Sequence, residues 1–114
     1  MRIPSITTAT LAALIISSSA NAGTEFYDGL HSDAVRSATA VIQNALETLP
    51  SGQRADWVGR DLGFGYVKPI RTWKSVTGHY CRSFEERVYT VAGQMRRRQL
   101  TACRVNGTWR LVED

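Results

Sequence analysis

The stretch from His79 to Val112, HYCRSFEERVYTVAGQMRRRQLTACRVNGTWRLV, decides the fold. Within it Asn106-Gly107 stands between Val105 and Thr108. An Asn-Gly pair flanked by strand-forming residues specifies a two-residue hairpin of type I′. That turn sets Arg104 opposite Trp109 and Ala102 opposite Leu111. Upstream, a two-residue Ala92-Gly93 turn would set Cys81 against Arg104, whereas a longer loop or a bulge sets Cys81 against Cys103. The second register also pairs Phe84 with Leu100, Ser83 with Thr101 and Glu86 with Arg98. Matched cross-strand pairs of this kind stabilise sheets, so the second register is expected.

Successive strand side chains point to opposite faces. Tyr80, Phe84, Val88, Leu100, Ala102, Trp109 and Leu111 then share one face, the one expected to meet a helix. Cys81, Cys103, Ser83, Glu85, Arg87, Arg97, Thr101 and Arg110 share the other. The basic triplet Arg96-Arg97-Arg98 is split between the faces, with Arg96 inward near the loop and Arg98 able to pair with Glu86. Arg87 falls directly opposite Arg97, an unfavourable like-charge pair across a ladder, with Arg110 further along. These three arginines form the candidate binding surface, the alternative being a solvated basic face that only aids solubility. Trp73, between Thr72 and Lys74 with Arg71 nearby, is the candidate exposed aromatic, whereas Trp109 is expected in the core, because tryptophan buries a large area.

Outward from this stretch, residues 53–58, 64–76 (interrupted near Pro69), 79–91, 95–105 and 108–112 read as strands separated by turn residues. Ahead of them Ala34, Val35, Ala38, Val41, Ile42, Ala45, Leu46 and Leu49 recur with helical spacing. A helix is predicted over 32–49, capped by Ser32 or Asp33 and stopped by Pro50-Ser51-Gly52. Its far face, with Arg36, Gln43, Asn44 and Glu47, lacks the basic character of a membrane-surface helix, so it is expected to pack on the sheet. A helix followed by consecutive antiparallel strands is the pattern of an α+β domain. The expectation is one N-terminal helix on a four- to five-stranded antiparallel sheet with a single disulfide. Residues 32–114 would form this one domain, and residues 23–31, polar and glycine-containing, a flexible lead.

The first 22 residues read differently. One early Arg2, a short apolar run and Ala20-Asn21-Ala22 have the layout of a cleaved secretory signal. The run from Ile6 to Ile16 is too short and too rich in threonine to span a bilayer, which takes roughly 20 apolar residues. No cysteine near the expected cleavage point could carry a lipid anchor. The two cysteines of the chain both lie in the exported part, where an even pair in a small domain reads as a disulfide.

Fourteen Lys and Arg against ten Asp and Glu give a formal net charge of +4. Export makes nucleic acid an unsuitable partner for that charge, and anionic envelope polymers or lipid head groups the relevant ones. Chemistry is sparse. A bridged cysteine cannot attack, and His31 and His79 supply neither a metal-ligand spacing nor a base beside a nucleophile. Asp56 and Asp61, flanked by arginines and glycines, read as solvated loop charges, and Glu85 and Glu86 point to opposite faces. No cofactor, metal or catalytic residue is expected.

The sequence blocks Ala45-Leu46-Glu47, Pro50-Ser51-Gly52-Gln53 and Trp57-Val58 are followed by Pro69-Ile70-Arg71-Thr72-Trp73. Next come Gly78-His79-Tyr80-Cys81-Arg82-Ser83-Phe84, Thr101-Ala102-Cys103-Arg104 and Asn106-Gly107-Thr108-Trp109. With these blocks, from about Ala45 to Val112, the chain resembles the C-terminal domain of the bacterial 17 kDa surface antigen family of small envelope proteins. The resemblance implies a stapled envelope domain without a catalytic role. The expected protein is a non-enzymatic exported one, periplasmic or outer-membrane-associated. The alternative is a periplasmic binding module for an anionic envelope component or for a protein partner such as lysozyme.

Overall fold

The computed structural model describes residues 26–112, so the expected signal segment lies outside the described residues. Among the described residues, helix α1 (Ser32–Thr48) precedes five strands: β1 (Ala55–Val58), β2 (Phe64–Lys74), β3 (Tyr80–Tyr89), β4 (Met95–Val105) and β5 (Thr108–Leu111). The strands form one antiparallel sheet in sequential order. The hairpin registers read from the sequence are those observed. Arg104 faces Trp109, and Cys81 faces Cys103, with Phe84 on Leu100 and Glu86 on Arg98. Asn106 and Gly107 both carry positive φ, 52° and 80°, as a type I′ turn requires. Cys81 and Cys103 are bonded.

The helix covers one sheet face, as its apolar stripe demands. Ile42, Ala45 and Leu46 pack on Val67, Phe84, Ala102 and Trp109, with Leu100 and Leu111 at the rim. A second cluster joins Ala34 and Ala38 to Trp57 and Val88. The cap differs from expectation. His31, not Ser32 or Asp33, occupies the N-cap, and its Nδ1 accepts a hydrogen bond from the Asp33 backbone N–H.

The lead also differs where it is described. Phe26 and Tyr27 are buried in the second cluster rather than loose. Two inward-facing cations hold them. Arg96 donates to the Phe26 carbonyl at 2.9 Å and to that of Asp28, and the Arg98 guanidinium lies 4.1 Å from the Phe26 ring centre. Tyr27 donates its hydroxyl to the buried Glu86 carboxylate. Two aromatics in an otherwise polar segment are a weak sequence signal, and their anchors lie about 60–70 residues away.

Candidate functional site

The sheet face turned away from α1 is built as cross-strand rows, because each strand sends alternate residues there. The first row is Val58, Phe64, Tyr89 and Met95, with the Phe64 and Tyr89 rings stacked at 4.7 Å. The second is Asp56, Tyr66, Arg87 and Arg97, and the third sets Lys68 beside Glu85 and Gln99. Arg71, Ser83 and Thr101 follow. The last row is Trp73, the disulfide and Arg110.

Arg87 and Arg97 do face each other, and the structure shows what offsets their repulsion. Glu85, largely buried on the same face, lies 3.4 Å from Arg87, 3.8 Å from Arg97 and 3.7 Å from Lys68. Tyr66 also donates its hydroxyl to Glu85 at 3.4 Å. One carboxylate thus serves three cations. Arg87 is held further by the Tyr89 hydroxyl at 3.3 Å, the first cause of an upward shift of its already high pKa. The Tyr66 ring is gripped between two guanidinium groups, Arg54 at 4.6 Å and Arg87 at 5.4 Å. A groove of about 490 Å³ runs alongside, lined by Arg54, Phe64, Tyr66, Arg87 and Tyr89 among others.

The four sequence candidates are therefore not one cluster. Arg87 and Arg97 sit together at the Glu85 hub. Arg110 and Trp73 belong to the disulfide row, six residues along β4 from Arg97 and so roughly 20 Å away. Trp73 is half-buried, with the Arg71 guanidinium 4.5 Å above its ring. Arg110 keeps its Nε buried and without a hydrogen-bond partner. Trp57 and Trp109 are buried, the latter as expected. Lys68, Tyr66 and Arg54 were missed as members of this face. A β-bulge between Pro69 and Arg71 shifts the β2–β3 register, and no short turn signal fixes it. The alternation of β3 did place Glu85, the centre of the hub, on this face with Ser83 and Arg87, but it carries no information on the β2 residues.

The helix side of the sheet holds a second, more open cleft of about 420 Å³ beside the end of α1. There Glu47 accepts from Arg104 and from the Trp109 indole N–H, both at 2.9 Å, and these bonds hold its carboxyl below the usual range. Arg82, buried beneath it, donates to the Leu46 carbonyl at 2.8 Å and so satisfies the last turn of α1. Asp61 acts as a loop closer, accepting from the His31 and Gly63 backbone N–H groups, which lower its pKa. Asp56 pairs with Arg54 at 3.3 Å. Among the described residues no group of three or more His, Cys, Asp or Glu is placed to hold a metal. No described helix is long and apolar enough to cross a membrane.

These features define a small α+β domain: one helix on a five-stranded meander, a cross-strand disulfide, and a basic open sheet face edged by aromatic residues. The chain is similar to the 17 kDa surface antigen of Rickettsia conorii (strain ATCC VR-613 / Malish 7), with 37% identity over 86 residues, covering 74% of this chain and 54% of that protein. The 17 kDa surface antigen of Rickettsia felis matches over the same length at 36% identity. That of Rickettsia amblyommatis matches over 77 residues, also at 36%. Over this shared region the chain is a homologue of proteins named 17 kDa surface antigen. It spans about half the length of the curated relatives it matches. No family model matches the chain. No solved structure matches it.

Proposed function

We propose that this chain is a non-enzymatic, exported domain of the bacterial cell envelope, periplasmic or outer-membrane-associated. The observation that carries the reading is the similarity to proteins named surface antigens. The Cys81–Cys103 bridge supports it, because disulfides persist in oxidising compartments such as the periplasm and cell surface. The signal-like segment at residues 1–22 supports it from the sequence side. The aligned charges of the site favour no hydrolytic role. Asp56 and Asp61 are committed to Arg54 and to loop closure, and Glu85 is surrounded by cations.

A second reading is that the open sheet face is a binding surface for an anionic envelope component. Its support is the charge distribution. Among the described residues that face carries Arg54, Lys68, Arg71, Arg87, Arg97 and Arg110 against Asp56 and Glu85. Cell fractionation with immediate thiol blocking tests the location. The expected result is an oxidised protein in the envelope or periplasmic fraction. Recovery as free thiols in the cytosol would overturn it.

A further inference from the structure

The exposed large apolar side chains are unevenly placed. Val58, Leu62, Phe64, Val91 and Met95 all lie at one end of the sheet, where β1 meets β2 and β3 meets β4. Val58, Phe64 and Met95 form a continuous row with Tyr89 across four strands, and are 66%, 46% and 51% exposed. Contiguous exposed apolar surface on a small domain marks a contact site. The next row inward carries Arg87 and Arg97 about 7 Å behind the apolar one, with Tyr66 and the Arg54-paired Asp56 completing it.

Leu62 sharpens the picture. Its φ is +70°, a left-handed conformation that residues with a β-carbon rarely adopt, yet its side chain is 74% exposed. Packing inside the fold does not explain a leucine there. The loop that displays it is held firmly. Gly59 donates to the Gly63 carbonyl at 2.7 Å, Leu62 to the Gly59 carbonyl at 3.0 Å, and Asp61 ties the loop to His31. Arg60, in the same loop, is almost fully exposed.

We propose that this end of the sheet is a membrane-contact tip. Leu62 and the Val58–Phe64–Met95 row enter the interfacial layer of an anionic phospholipid leaflet, while Arg60, Arg87 and Arg97 meet its head groups. Apolar insertion and electrostatic attraction add in this geometry. Charge complementarity selects this occupant over a second copy, since tip-to-tip pairing would bring two sets of the same arginines together. Only the whereabouts of that leaflet rests on the envelope reading. Lipid binding is measured on purified protein, so its failure and a failure of localisation are separate results.

The test is co-sedimentation of the protein as recovered from cells, disulfide intact, with vesicles of phosphatidylcholine alone or mixed with phosphatidylglycerol. The wild type should pellet with the anionic vesicles and be released by salt. Leu62→Gly should weaken binding about ten-fold or more, through loss of buried methylenes. Its melting temperature should stay level or rise, because glycine accepts the left-handed backbone. Arg87→Ser with Arg97→Ser should weaken binding and flatten the salt dependence, and Ile70→Ser, away from the tip, should leave binding unchanged. Absence of pelleting, equal pelleting of wild type and Leu62→Gly, or a dimer that Leu62→Gly dissolves would each overturn the proposal.

Discussion

The Arg98 guanidinium holds the fully buried carboxylate of Glu86 from the neighbouring strand, Nε to Oε1 at 3.0 Å. Tyr27 closes the other side of that carboxylate and so ties the lead to the sheet. Removing one partner of a buried pair leaves an uncompensated charge. Arg98→Ala is therefore expected to cost roughly 3–5 kcal/mol in urea denaturation. The Phe26 and Tyr27 segment should become susceptible to protease in the same variant.

Glu86 also gives folding a pH dependence. Burial pushes its carboxyl above the ordinary value, with Arg98 and Tyr27 opposing the shift. The folded state then holds the proton more tightly than the unfolded chain. The resulting stabilisation is complete below the ordinary carboxylate pKa and is lost as pH rises through the raised folded value. Glu86→Gln keeps an acceptor for Tyr27 and removes the titration. Urea midpoints measured against pH should fall across that window for the wild type more steeply than for Glu86→Gln.

Ile42 and Leu46 are buried between α1 and the sheet. Either truncation to alanine leaves a cavity, at a cost of roughly 2–5 kcal/mol. Thermal unfolding checks this, with Val76→Ala in the fully exposed β2–β3 turn as the neutral control.

The bridge between Cys81 and Cys103 spans a separation of 22 residues. Closing a loop of that size restricts the unfolded chain by about 3 kcal/mol. The double substitution Cys81→Ser with Cys103→Ser should lower stability by about that amount, while the β3–β4 register, fixed on both sides of the bridge, persists in amide exchange.

Glu85 neutralises part of the face that it organises. Glu85→Gln keeps the hydrogen-bonding shape and releases Lys68, Arg87 and Arg97 from a shared counter-charge. Sedimentation with anionic vesicles should become several-fold tighter and more salt-sensitive, with a small loss of stability from the exposed like-charge pair.

What the sequence disclosed follows from where its signals are local. Asn106-Gly107 permits one turn, and strict alternation around it fixes Trp109, Ala102 and Phe84 inward; the disulfide register follows from complementary pairs. The helix was equally plain in its 3.6-residue stripe. What stayed hidden depends on distant partners. Tyr27 meets Glu86 across 59 residues, and neither residue announces the other. The bulge at Pro69 and Arg71 shifts β2 against β3, so Tyr66 and Lys68 could not be assigned to the Glu85 hub beforehand. Arg110 was grouped with Arg87 and Arg97 because it shares their face, and Trp73 was singled out for its polar and basic neighbours, but neither signal fixes the distance along the strands. The apolar tip went unread because Leu62 stands among glycines and charges, without periodicity.

Amide hydrogen exchange of the unaltered protein, with and without anionic vesicles, tests most directly which surface does the work. The expected result is added protection at residues 59–64 and 90–95, the two loops of the tip, and none at the Ser75–His79 turn on the opposite end of the sheet. Protection confined to the Ser75–His79 end, or no change at the tip under conditions where the protein is vesicle-bound, would contradict the account.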